Sequence, residues 1–237
     1  MRRSSSTNLD ARTMLHVPQV LNEDDLTALR DLARRAPWLD GRATAAGGER
    51  NPIKRNEQVD ELSTEGREIA QRVLAALQRH GMFASAAFPA RVSPPLMNRY
   101  APGMEYRAHI DTTLMGRGGE LLRTDLSGTI FLTDPREYDG GELVVESAQG
   151  RQAVKLPAGD LFLYPSTRVH YVAPVTRGVR LGAVLWVQSL VRDHEQRALL
   201  LELAQSLAGF ERLAPGHPDV VRLSGCYHRL LQMWAQP

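Results

Sequence analysis

His109-Ile110-Asp111 is the first place in the chain where residue types and spacing could hold a metal. In an extended strand, residues two apart point to the same side, so an imidazole and a carboxylate would project together toward one ion. The tripeptide alone is weak, since hydrogen bonding at a sheet edge explains most such pairs. His170 supplies a third donor. It follows the turn Tyr164-Pro165-Ser166-Thr167, 59 residues beyond Asp111, enough chain for several strands to return to the same barrel mouth. Two imidazoles and one carboxylate on one face of an octahedral ion leave three positions open, two for a chelating co-substrate and one for dioxygen.

Arg180 lies ten residues after His170. The segment Val179-Arg-Leu-Gly-Ala-Val-Leu-Trp-Val187 alternates, placing Arg180, Gly182, Val184 and Trp186 on one face and Leu181, Ala183, Leu185 and Val187 on the other. An arginine sharing a face with Trp186 points into an enclosed space. A buried guanidinium needs an anion, because leaving the charge unpaired costs roughly 3–5 kcal/mol. The strand offers no carboxylate, and a dicarboxylic co-substrate would supply one through two parallel hydrogen bonds.

These residues require a β scaffold, and the texture of the chain changes accordingly near Val92. Short segments rich in β-branched, aromatic or leucine residues alternate with Gly, Pro and Asp turns, giving strands near 96–101, 105–111, 126–133, 142–147, 151–156, 160–165, 169–175 and 179–189. Such a series predicts a sandwich or barrel, with a jelly roll as one form. Ahead of it, Asn22-Glu-Asp-Asp25 caps a helix carrying Leu26, Leu29, Leu32 and Ala33 and closed by Pro37. Residues 40–58 lack periodicity and read as a connector or lid. A second helix follows Ser63-Thr64 and stops at Gly81. Helical spacing returns through Leu199, Leu200, Leu203 and Leu207, and a last helix starts at Pro218 using Val221, Leu230, Leu231 and Trp234. The expected organisation is 1–91, a helical and loop region packed on the core; 92–191, the β core; and 192–237, a C-terminal helical extension.

Composition narrows the function classes. The net charge of +2, from 29 Lys plus Arg against 27 Asp plus Glu, is too small to form a nucleic-acid surface. Arg50, Lys54 and Arg55 form a local basic group that reads as a solvated loop or as help in holding an anionic substrate. No apolar run is long enough to span a bilayer, and the polar start Met1-Arg-Arg-Ser-Ser-Ser-Thr-Asn8 lacks a signal-peptide core. The one cysteine, Cys226, excludes an internal disulfide and is expected to pack among Leu223, Leu230 and Leu231. A reducing cytoplasm is the expected compartment.

Taken together, His109-x-Asp111, His170 and Arg180 resemble the prolyl 4-hydroxylase-type 2-oxoglutarate dioxygenases and, more narrowly, the bacterial PKHD-type hydroxylases. The resemblance runs from Leu96 to Leu203 and includes Asn98-Arg-Tyr100, Arg123-Thr-Asp-Leu-Ser127, Phe131-Leu, Tyr138-Asp-Gly-Gly-Glu-Leu143, Lys155-Leu-Pro-Ala-Gly159, Leu163-Tyr-Pro-Ser166 and Gln188-Ser-Leu-Val-Arg-Asp193. Upstream, Lys54-x-Asn56 belongs to it as well. The family implies a mainly β protein with flanking helices around a double-stranded β-helix (jelly-roll) core. It implies iron(II), 2-oxoglutarate and dioxygen, with ascorbate as a supporting reductant, in a reaction that hydroxylates a C–H bond and releases succinate and carbon dioxide.

Carried over by position, His109, Asp111 and His170 would bind iron and Arg180 the distal carboxylate of 2-oxoglutarate. Tyr100, Leu143 and Trp186 match positions lining the co-substrate pocket. Phe131 stands where some relatives have a tyrosine on the same carboxylate, so that hydrogen bond is expected to be missing. Retention of Asp111 argues against halogenation, for which this architecture carries a small residue there. The chain departs from the family at Asp111-Thr-Thr-Leu-Met115, in the approach Met104-Glu-Tyr-Arg107 and in the loop 112–122, positions that should border substrate. Lys54, Asn56, Arg107 and Thr112 are the candidate substrate contacts, although Glu105 and Arg107 also read as a mutual ion pair. The substrate is expected to be a small molecule or a peptide, a homo-oligomer being left open.

Two rivals belong to other classes. A cupin-like metal or small-molecule binding protein gives no reason for an arginine beside Trp186, and a zinc hydrolase lacks both His-Glu-x-x-His and a general base near the triad.

Overall fold

The computed structural model describes residues 14–44, 53–116, 121–147 and 149–236; the polar N-terminal stretch, Arg50 and residues 117–120 lie outside them. The chain enters through β1 (Leu15–Val17) and turns into α1 (Glu23–Arg35). The Asn22 side chain accepts from the Asp25 amide and the Asp25 carboxylate accepts from the Asn22 amide, a reciprocal cap that sets the start of α1. The connector expected over 40–58 is structured in its described parts. It forms β2 (Trp38–Asp40), a 3-10 turn (Gly41–Thr44), β3 (Lys54–Arg55) and β4 (Glu57–Val59). Strands this short show no alternation in sequence; pairing with longer strands makes them.

Ser63 caps α2 (Thr64–Arg79), whose Ile69, Val73, Ala76 and Leu77 are buried. α2 ends at Arg79, next to the stop expected at Gly81, and Gly81 itself opens a new helix. His80 caps a further short helix, α3 (Gly81–Ala87), accepting from the Phe83 amide. Then follow β5 (Pro89–Val92), β6 (Leu96–Tyr100), β7 (Glu105–His109), β8 (Leu114–Met115), β9 (Leu122–Arg123), β10 (Leu126–Phe131), β11 (Asp139–Gly140), β12 (Leu143–Ser147), β13 (Gly150–Val154), β14 (Leu161–Pro165), β15 (His170–Val172), β16 (Val175–Arg177) and β17 (Arg180–Ser189). The expected strand over 169–175 is divided at Ala173-Pro174. The chain closes with α4 (His194–Leu213) and α5 (Pro218–Trp234).

Two antiparallel sheets form the double-stranded β-helix. The larger has eight strands in the order β1-β14-β10-β17-β6-β4-β2, with β5 also paired to β17; the smaller has five, β13-β12-β15-β7-β3. The N-terminal region therefore contributes strands to both sheets as well as helices. α1, α2 and α3 cover the outer face of the larger sheet, where Leu29, Ile69 and Val73 join Met97, Ile130, Ala183, Leu185 and Val187 in one core. Each fully buried Leu, Ile or Val contributes about 1.5–3 kcal/mol, so this face fixes the sheet and frees its opposite face for polar side chains.

At the C-terminal end, Leu230, Leu231 and Trp234 pack against Phe88, Val191 and Leu200. Val221 is exposed, contrary to expectation. Cys226 is also exposed, since α5 buries no residue completely. Among the described residues, no helix is long and apolar enough to cross a membrane.

Candidate metal centre and co-substrate pocket

A cavity of about 590 Å³ opens between the two sheets. On its smaller-sheet side, β7 and β15 pair so that His109 lies directly across from His170. A bulge between the His109–His170 and Tyr106–Val172 pairs breaks the expected alternation. His109 consequently shares a side with Tyr106, on whose ring it stacks at 3.6 Å, while Arg107 turns outward. β7 ends at His109, so Asp111 reaches the cavity from the loop beyond rather than by strand alternation.

The donor atoms of His109, Asp111 and His170 all lie within 4.8 Å of one another. His109 Nε2 is 3.8 Å from Asp111 Oδ1, and His170 Nε2 is 3.6 Å from Asp111 Oδ2. Each imidazole donates from Nδ1 to a backbone carbonyl two residues earlier, His109 to Arg107 at 2.8 Å and His170 to Arg168 at 3.0 Å. Those bonds set the tautomer in which both Nε2 lone pairs are free for a metal. Burial, then the neighbouring His170, pushes the His109 imidazole down to about 4, so it is neutral at neutral pH.

Asp111 is oriented from the larger sheet. Its Oδ2 accepts from Trp186 Nε1 at 2.9 Å and from the Ser127 hydroxyl at 2.5 Å. Ser127 has one proton and spends it there, so Ser166, at 2.8 Å, donates in turn to Ser127. The pairing of Ser127 with Trp186 across β10 and β17 places both donors side by side. Trp186 thus does more than line the pocket. Sequence reading missed the roles of Ser127 and Ser166; the alternation of Ser127, Thr129 and Phe131 along β10 was the available signal.

Arg180 is 1% exposed, and its Nε and Nη1 have no hydrogen-bond partner. Its guanidinium lies 5.2 Å from the Tyr100 ring centre and 5.4 Å from that of Phe131, rings that hold it without neutralising it. A Cβ added at Gly182 would meet the Ile130 carbonyl at 3.3 Å, Arg180 Nη1 at 3.4 Å and Asn98 Oδ1 at 3.5 Å. Glycine there leaves a polar cradle open beside the guanidinium, and Asn98 Oδ1 is unpartnered too. A buried cation, an open cradle and three neutral-or-anionic metal donors in one cavity fit a metal-chelating dicarboxylate. Tyr138, fully buried with an unpartnered hydroxyl, borders the same guanidinium across Gly141, whose Cβ position lies 3.1 Å from the Tyr138 ring and 3.2 Å from Arg180 Cδ. Burial raises the phenol of Tyr138, and burial likewise pushes Tyr100 up to about 12, so both remain neutral donors.

The other expected site residues separate into two groups. Tyr100, Leu143, Lys54, Asn56 and Thr112 line the cavity. Arg107 is exposed and pairs with Glu105 Oε1 at 3.0 Å, outside the lining.

Comparison with known proteins agrees with this geometry. Residues 95–188 match the 2OG-Fe(II) oxygenase superfamily, and residues 194–236 match the PKHD-type hydroxylase C-terminal domain. A PKHD-type hydroxylase of Burkholderia ambifaria is 48% identical over 226 residues, covering 94% of this chain and 99% of that protein. The chain belongs to the PKHD-type hydroxylases. The PKHD-type hydroxylase PiuC of Pseudomonas aeruginosa is 45% identical, again over 94% of this chain and 99% of its own. Among solved structures, a Trichoplax adhaerens prolyl hydroxylase in complex with a hypoxia inducible factor peptide fragment aligns with TM-score 0.54 at 18% identity, over 79% of this chain and 87% of that one. The carbocyclase SnoK from nogalamycin biosynthesis aligns with TM-score 0.53 at 17% identity, over 75% and 80%. At such identities the likeness is one of fold. As a PKHD-type hydroxylase, the chain is an iron(II)- and 2-oxoglutarate-dependent hydroxylase whose substrate is unidentified.

Proposed function

We propose that His109, Asp111 and His170 are the iron ligands, and that Arg180 grips the distal carboxylate of 2-oxoglutarate, with Tyr100 and Leu143 against its chain. Arg180 carries this reading, because a guanidinium buried to 1% exposure with unpartnered nitrogens has no role in packing alone. Iron and 2-oxoglutarate, when bound, supply the oxidising power for C–H hydroxylation, with succinate and carbon dioxide released.

The chain's own residues contribute position. The Arg107 and Arg168 carbonyls lock the two imidazoles, and Trp186 and Ser127 hold Asp111 by one oxygen, leaving Oδ1 available to the metal. Tyr106 and Tyr164 pack against the imidazoles and limit water around them. Lys54, Asn56 and Thr112 face the remaining volume and are the proposed substrate contacts; Arg107, turned outward, would meet only a portion of substrate beyond the mouth. An iron(II) centre and a chain with a single cysteine suit a reducing compartment.

The test is calorimetric titration of 2-oxoglutarate into anaerobic protein with and without a divalent metal. Binding should require the metal and be lost in Arg180→Ala. Metal-independent binding, or an unaltered affinity in that variant, would remove Arg180 from the role.

A further inference from the structure

Lys54 is a second buried cation in the cavity, on the wall opposite Arg180. It is 5% exposed, and among the described residues no carboxylate makes an ion pair with it. Its ammonium donates to Thr44 Oγ1 at 2.8 Å and lies 5.2 Å from the centre of the Tyr106 ring. Thr44 passes its own proton to Gln58 Oε1 at 2.5 Å, so this contact leaves the lysine charge uncompensated. Burial lowers Lys54 to about 8, which keeps it mainly protonated at neutral pH; Asp111 and Asp40 oppose the shift from a distance, and Asp40 is already engaged by Arg42.

Asn56 follows two residues later on the same side, is 4% exposed and has its amide beside the Tyr100 hydroxyl. A Cβ at Gly41 would fall 1.8 Å from Asn56 Oδ1, so the glycine exists to let that amide occupy its place in the lining.

The surroundings of Lys54 say what a ligand of this cavity carries. Of the carboxylates that act on it, Asp111 is held by Trp186 and Ser127 and Asp40 by Arg42, while Glu61, which also lines the cavity, is exposed and makes no ion pair with it among the described residues. The buried ammonium, set over the ring stacked against His109, is left to meet an anionic group of the ligand.

We propose that the substrate is a carboxylic acid, its carboxylate received by the buried ammonium of Lys54. This rests on the assignment of the iron and 2-oxoglutarate site above. The experiment uses the anaerobic iron(II) and 2-oxoglutarate complex of the full chain. Matched pairs of N-acetyl amino acids and their primary amides, with small, aliphatic and aromatic side chains, are added as probes. Binding is read from the visible charge-transfer band and by calorimetry. At least one acid should bind tenfold or more tightly than its amide, Lys54→Met should erase that difference, and Lys54→Arg should keep most of it.

Equal binding of acid and amide by the wild-type chain, no binding by any acid, or an undiminished preference in Lys54→Met would overturn the proposal. The first two readings need no variant, so poor folding of Lys54→Met leaves the test decisive. Absence of the charge-transfer band before any probe is added is a separate result, and it would sink the underlying site assignment as well.

Discussion

The five-stranded sheet brings His109 and His170 side by side at one wall of the cavity, whereas the eight-stranded sheet, among the described residues, adds no side chain to that candidate metal cluster and instead sets Arg180, Trp186 and Ser127 opposite them. Asp111 belongs to neither sheet; it extends from the end of β7 and is caught by donors from the other wall. Each wall also buries one cation, Arg180 or Lys54. On the proposed assignment the walls separate metal ligation from the anchoring of the co-substrate, and variants on each should fail differently.

The largest effects belong to the ligand set. His170→Ala or Asp111→Ala should lower iron(II) affinity by more than about 100-fold, beyond the usual cost of removing an outer partner, and abolish succinate formation. Metal titration of the purified variants checks this; retained tight binding would show that the site is not the one described. Arg180→Ala on the other wall should weaken 2-oxoglutarate binding by roughly 100-fold, the cost of about 3 kcal/mol for a buried charged partner, while leaving metal affinity in place. Equal losses of metal and 2-oxoglutarate affinity would erase the division between walls.

Arg180 and its strand were legible because β17 is long enough for alternation to show, and its reverse face is apolar from Leu181 to Val187. His109 was legible by type but not by geometry. The bulge in β7 is set by pairing with β15, which strand periodicity cannot register, and it turned Arg107 away from the face expected for it. The strands within 40–58 escaped notice for a related reason, since two or three residues joining a preformed edge carry no pattern of their own. Polar positioning was the least visible. The Trp186 contact with Asp111 depends on an indole nitrogen meeting a loop carboxylate 75 residues away in the chain.

The two buried cations should also respond differently to pH, because a guanidinium cannot lose its proton in this range whereas an ammonium can. Lys54 titrates near 8 when folded and 10.5 when unfolded, so the unfolded chain binds more protons between those values. Stability of the metal-free protein should therefore rise with pH from about 8 to 10.5, by on the order of 2 kcal/mol relative to Lys54→Met. Parallel denaturation curves for the two proteins across that range would place Lys54 in a wetter setting than its burial implies.

Trp186→Phe keeps an aromatic wall and deletes the Nε1–H donor to Asp111. Iron(II) affinity should fall about tenfold, as is typical when an outer hydrogen bond to a ligand is removed. Ser127→Ala should add to the loss, since both donors share Asp111 Oδ2. If metal affinity holds and only 2-oxoglutarate binding suffers, Trp186 serves its own wall alone.

The smallest effect tests how closely the larger sheet fits the co-substrate. In Gly182→Ala the new methyl would sit 3.3 Å from the Ile130 carbonyl, which belongs to the backbone of β10 and cannot retreat, so Arg180 Nη1, at 3.4 Å, must yield. Displacing the guanidinium by a few tenths of an ångström should weaken 2-oxoglutarate binding by roughly three- to tenfold, since misplacements of about 1 Å cost about 100-fold. Metal affinity should not change, because the nearest neighbours of that methyl position are Ile130, Arg180 and Asn98 rather than His109, Asp111 or His170. Calorimetry with iron(II) and then 2-oxoglutarate separates the two quantities; an unchanged second titration would mean that the cradle beside Arg180 is wider than the distal carboxylate needs.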